Sequence, residues 1–236
     1  MGTAIAATPA LADASAATAA SAATGTVARV PDLNGGTWQV AKPVLQLRDL
    51  KGARPPLRPE AQALYEQRSA QRRAGRVDFD GTERCLPPGL PRLLSQPQPF
   101  EFLQRPDQIV ILYQLQRLVR VIDTSGAAAD VVGPTHLGTS VGRWQGGTLV
   151  VESSDFTTQG VLDDAGLPHG GQLRVQERYT PSRDGRSLVL RVRIDDPEYY
   201  TAPWESELRY RRDPRGEIAE DVCLERQHLT LWKDRP

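Results

Sequence analysis

Cysteine is scarce in this chain, with two in 236 residues. That excludes a Cys-based zinc cluster and a disulfide-dense scaffold. Charge of one sign is also missing. Lys plus Arg is 29 and Asp plus Glu is 29. Such a balance supplies no field to draw in nucleic acid or an anionic membrane, and no helical DNA-reading element is present. No run of about 18 apolar residues occurs, so no helix is long enough to cross a bilayer. No cofactor is expected. What remains is an ordinary globular composition, 39% hydrophobic and 25% charged, in a chain long enough to bury a real core.

Thirteen of the first 28 residues are Ala. The stretch has no charged partners and no amphipathic stripe, so an isolated helix there would be marginal in water. Residues 1–30 are expected to form a disordered tail, with a single domain over 31–236. Ala10-Leu11-Ala12 fits the small-residue cleavage pattern of a secretory signal, although the basic and long apolar regions are missing. This points to a periplasmic or secreted protein; a low-complexity linker is the alternative. Cys85 and Cys223 suit a disulfide in an oxidising compartment, with two buried thiols as the alternative.

Pro59 can open a helix and Gly75 can stop it, so a helix is expected near 59–74. Ala61, Leu64, Tyr65 and Arg68 share one of its faces. A short strand is expected over 36–40. From residue 99 onward the apolar period is two. Candidate strands are 99–104, 108–114, 117–123, 139–145, 148–155, 172–180, 187–195, 204–212 and 217–224. Gly146-Gly147 reads as a two-residue hairpin turn. So many strands leave exposed edges unless the sheet closes, so an antiparallel up-and-down barrel with one external helix is expected. Strict alternation puts the short links near 115–116, 146–147, 182–186 and 213–216 at one end. It puts the long links 124–138, 156–171 and 196–203 at the other. Long loops gathered at one end of a rigid barrel suggest a ligand mouth.

Gly36-Thr37-Trp38 resembles the Gly-x-Trp signature of lipocalins and related calycin barrels. The resemblance implies a Trp closing the barrel floor under an Arg from near the last strand, here Arg209, Arg211 or Arg212. It also implies small hydrophobic ligands, and for some relatives cyclase or isomerase activity. Other segments resemble a group of exported bacterial proteins to which no activity is assigned. They are Pro31-Asp32-Leu33, Arg84-Cys85-Leu86-Pro87 with Gly89 and Pro91-Arg92, Ser140 to Trp144, Thr148 to Glu152, Pro168-His169, Glu177-Arg178 and Asp196-Pro197.

His136 and His169 fall in two of the long links, and Asp163 and Asp164 share the second. A His beside a carboxylate can move protons near neutral pH. The spacing of the histidines does not support a metal site. Leu173, Val175, Glu177 and Tyr179 form the more apolar face of their strand, which points Glu177 inward. Arg120 is its possible partner, although Val119 and Val121 on the opposite face make that strand's orientation ambiguous. Tyr199, Tyr200 and Trp204 cluster in the third long link and can stack on a flat ligand; Tyr113 is a further candidate for substrate contact. Gly138-Thr139-Ser140-Val141-Gly142 matches the nucleophile-elbow spacing, but no helix follows it. The leading expectation is small-molecule binding in a barrel with cofactor-independent isomerase, cyclase or lyase chemistry. His169, His136, Glu177 and Asp163 are its catalytic candidates. The alternatives are a non-catalytic carrier of a hydrophobic ligand and a structural envelope domain with a filled interior.

Overall fold

A computed structural model describes residues 1–2, 30–127 and 133–226. The reading of residues 3–29 as a tail with a cleavage site lies outside the described residues. Nine strands close into a ring in sequence order. They are β1 (Thr37–Val40), β2 (Phe100–Gln104), β3 (Gln108–Tyr113), β4 (Val119–Asp123), β5 (Thr139–Gln145), β6 (Thr148–Ser154), β7 (Arg174–Pro181), β8 (Ser187–Asp195) and β9 (Trp204–Asp213). The helix α1 (Pro59–Arg73) precedes β2. Residues 217–224, read from sequence as a strand, form no ladder. Residues 217–222 are irregular and 223–226 are helical. The β9–β1 pairing has already closed the ring at β9, so the chain that follows β9 has no free edge beside that strand to join.

The sheet is mixed rather than purely antiparallel. Every neighbouring pair runs antiparallel except β4 and β5, which are parallel and meet at one register pair, Asp123↔Val141. Nine is odd, and directions cannot alternate all the way around an odd ring. This corrects the predicted distribution of links. The link 124–138 starts at one end of the ring and finishes at the other. The end where it finishes, here the helix end, also carries 155–173, 196–203, the segment holding α1 and the hairpin 114–118. The opposite, hairpin end carries 105–107, 146–147 and 182–186. In the 146–147 turn only Gly146 takes a positive φ, +58°.

Alternation fills the interior. Trp38, Phe100, Phe102, Tyr113, Tyr179 and Tyr210 contact one another inside the ring, with centroids 5.2 to 6.4 Å apart. Ile109, Ile111, Ile122, Leu149, Leu188 and Leu190 are fully buried around them. At the hairpin end the Arg212 guanidinium lies 5.4 Å over the Trp38 ring. It also donates to the Gly35 carbonyl, at 2.9 Å from Nε. Of the three arginines considered, Arg212 therefore covers the Trp.

Outside the ring, α1 buries Ala61, Tyr65 and Ser69. Ser69 Oγ donates to the Ala165 carbonyl at 3.1 Å. The helix thereby packs against the 155–173 link, as its predicted apolar face requires. Cys85 and Cys223 are disulfide-bonded across 138 residues. The bond lies near the 114–118 hairpin, where the Gln116 amide donates to Asp221.

Candidate functional site

The residues singled out from sequence separate into three groups. The first is a polar island inside the ring. Glu177 is wholly buried and Arg120 is 2% exposed. The Arg120 guanidinium donates from Nη1 and Nη2 to the two carboxylate oxygens of Glu177, at 2.8 and 2.6 Å. It donates further to Ser140 Oγ at 3.1 Å and to Ser153 Oγ at 2.9 Å. Tyr179 Oη donates to the same carboxylate. Burial opposes the charge on Arg120, but the Glu177 carboxylate outweighs it and holds the guanidinium pKa above its ordinary value. Burial, then the nearby Glu177 charge, pushes the Tyr179 hydroxyl well up. Tyr113 borders the island, and burial pushes its hydroxyl up to about 12.

The island settles the orientation of β4: Arg120 and Ile122 face in, while Val119 and Val121 face out. It also removes the premise that made Glu177 an acid–base candidate, because its carboxylate has a cation and a hydroxyl as partners. Ser140 lies within β5, bonded to Arg120 and Ser153 rather than to a base. It is not a nucleophile elbow.

The second group holds His136 and His169. Both line one small void at the helix end, with Gly89, Leu90, Phe156 and Gly160. The two links that carry them are joined by the Thr135↔Phe156 bridge. The topology thus brings both histidines to one end, as expected, although 124–138 reaches it by crossing the ring's height. Burial lowers both imidazole pKa values. His169 Nδ1 lies 3.1 Å from the Gly170 carbonyl, and His136 Nδ1 is buried without a partner. Glu177 is not among their neighbours.

Asp163 and the aromatic residues form the third group. The Asp163 carboxylate accepts from the amides of Leu47, Ala165 and Leu167 at 3.1, 3.0 and 3.0 Å, and from Tyr65 Oη at 2.8 Å. Its pKa is raised because burial outweighs these bonds. None of its bonds goes to a histidine, so it acts as a clamp between the 155–173 link and α1. Tyr200 is 2% exposed and donates to the Pro168 carbonyl at 2.9 Å. Trp204 is 5% exposed and packs on Tyr200 at 5.7 Å. Tyr199 is half-buried, and its carbonyl accepts from the Arg58 amide. These aromatics cover the core instead of presenting faces to a ligand.

Sequence reading missed two features. One is a buried ion-pair cluster, in which Arg92 bonds Asp80 at 2.7 and 2.9 Å and Asp164 at 2.7 Å. Burial alone would raise the Asp80 pKa, but Arg92 holds it below the carboxylate range. The other is the seam between β4 and β5. Above the Asp123–Val141 contact the two strands part. They leave a cleft of about 520 Å³ lined by Leu118, Val119, Val121, His136, Leu137 and Thr139, with Arg120 and Ser140 also lining it. That volume falls within the usual 300–1,000 Å³ of ligand sites. Val119 and Val121 are 55% and 52% exposed. Glycine is required at the rim: Gly138 has φ +64°, and a Cβ there would lie 2.3 Å from the Ser154 carbonyl oxygen. Among the described residues no helix is long and apolar enough to cross a membrane, and no cluster of three potential metal ligands occurs.

No family model matches the chain, and a search of curated proteins finds no match.

Proposed function

We propose that the protein is a non-catalytic, lipocalin-like binding domain whose ligand docks at the β4–β5 seam rather than inside the barrel. The seam itself carries the reading: a cleft of about 520 Å³ with exposed valines on its wall. Two observations make the interior a poor alternative. Its aromatic side chains pack on one another, and its one charged pair is matched by its own partners. The Trp38–Arg212 stack supports the lipocalin-like reading. The Cys85–Cys223 bond supports a periplasmic or secreted location.

Anilinonaphthalene sulfonate, an anionic dye that fluoresces in apolar surroundings, tests the seam. Its fluorescence is expected to rise with the wild-type protein and to fall several-fold with the uncharged Val119→Ser/Val121→Ser at unchanged fold. Equal fluorescence from both proteins contradicts a seam site.

One observation favours a second reading. His136 lines both the cleft and the void it shares with His169, and its Nδ1 has no partner. A ring nitrogen without a partner beside the cleft supports isomerase, cyclase or lyase chemistry there. A substrate converted by the wild type but not by His136→Ala would establish it.

A further inference from the structure

Strand directions in a closed ring alternate throughout only when the strand number is even. This ring has nine strands, and its single parallel contact holds by one register pair, as the antiparallel β1–β2 contact also does. A tenth strand running antiparallel to both β4 and β5 would restore alternation. It would also replace one parallel contact by two antiparallel ladders, which are the more stable kind.

The main chain on both sides is set for such a guest. The Tyr113 amide donates to the Leu118 carbonyl, and the Thr124 amide donates to the Asp107 carbonyl. With Ile111↔Arg120 and Ile109↔Ile122 between them, residues 118, 120, 122 and 124 direct their amides and carbonyls at β3. Val119, Val121 and Asp123 therefore direct theirs at the seam. Among the described residues, only Asp123 has a register partner there, Val141. On β5, Gln145↔Thr148 closes the hairpin turn, so Thr139, Val141 and Arg143 turn toward β6, and Ser140 turns toward the seam. An apolar small molecule would leave these main-chain groups unanswered, whereas an extended polypeptide answers them.

We propose that the seam receives an extended polypeptide segment from a partner as a tenth strand, antiparallel to β4 and β5. This rests on the seam being the binding site. The flanking side chains specify the segment. Its outward residues would continue the cross-strand row Leu103–Val110–Val121, beside Val119 and Val141, so they are β-branched and apolar. Its inward residues meet Arg120 and Ser140, whose partners are already in place, so they are small and hydroxylated rather than charged. Main-chain bonds supply affinity, and alternate side chains supply selectivity.

The test uses the full chain and the peptide acetyl-Ser-Val-Thr-Val-Ser-Val-Thr-amide. Amide hydrogen exchange is expected to slow at Val119 and Val121 on adding the peptide. N-methylating the peptide amides along one edge is expected to weaken binding at least about ten-fold, since several hydrogen bonds are lost. Val121→Pro removes a seam-facing N–H without touching the β3–β4 ladder, and about a five-fold loss is expected. Val121→Thr, which keeps the N–H, is expected to bind as the wild type does. Equal binding of the N-methylated peptide overturns strand addition. So does slow exchange at Val119 and Val121 before any peptide is added, which would mean that the chain itself fills the seam. If the fluorophore binds in a valine-dependent way and the peptide does not, the seam site stands and strand addition falls. If neither binds, both fall.

Discussion

Removing the Glu177 carboxylate is the sharpest perturbation of the interior. In Glu177→Ala the Arg120 guanidinium, 2% exposed, loses its bidentate partner and cannot neutralise itself. Breaking a buried pair from one side costs about 3–5 kcal/mol. Arg120→Met strands the carboxylate in the same way, at a similar cost. The double variant Arg120→Met/Glu177→Met behaves differently. Replacing both ions by packed apolar groups is often neutral. Ser140 and Ser153 still bond each other at 3.0 Å, so the Tyr179 hydroxyl is the main group orphaned, at about 1–3 kcal/mol. The double variant is therefore expected to be more stable than the two single costs predict, by at least about 3 kcal/mol. Urea unfolding followed by tryptophan fluorescence measures all four proteins. Additive losses refute the coupling. Single variants as stable as the wild type, or more so, refute the structural role and revive Glu177 as a functional acid, because active-site groups commonly cost stability.

Three more outcomes are expected. Replacing Cys85 and Cys223 by Ser releases a closure spanning 138 residues and is expected to lower unfolding free energy by about 5 kcal/mol on the chain-entropy estimate, read from denaturant midpoints. His136 and His169 have pKa values lowered by burial in the fold, so the unfolded chain binds more protons below its histidine pKa of about 6.5. Their contribution is thus complete above that pH and is lost as the pH falls below it. His136→Asn/His169→Asn is expected to flatten the melting temperature between about pH 7 and 5, and an unchanged slope contradicts the assignment. Asp80→Ala leaves Arg92, 5% exposed, short of one carboxylate while Asp164 remains, so a loss of about 2–4 kcal/mol is expected in thermal unfolding, at or just below that of a fully broken pair.

Much of this architecture was legible because period-two alternation reports which face of a strand is buried. It placed Glu177 and Tyr179 inward together, while the separate helical spacing of Ala61 and Tyr65 put that face of α1 against the protein. Alternation does not report which strands are neighbours or in which direction each runs. The parallel β4–β5 step, the crossing link 124–138 and the irregular 217–222 segment were hidden for that reason. The seam was partly visible. Turning Arg120 inward forces Val119 and Val121 outward, and two exposed valines flanking a buried arginine are a trace of an edge. The Arg92–Asp80–Asp164 cluster left no such trace, since its members are 12 and 72 residues apart and belong to no periodic element. Asp163 invites a chemical reading from its neighbourhood in sequence, yet two of its four partners, Leu47 and Tyr65, come from another part of the chain.

Valine methyl resonances separate the seam from the interior most directly. Val119 and Val121 line the outer seam, while Val151, Val175 and Val192 are buried within the ring. Titrating methyl-labelled protein with the valine–hydroxyl peptide, or with the fluorophore, is expected to shift the first set and leave the second in place. Shifts confined to Val151, Val175 and Val192 would put the ligand inside the barrel and contradict a filled core with its binding surface on the edge.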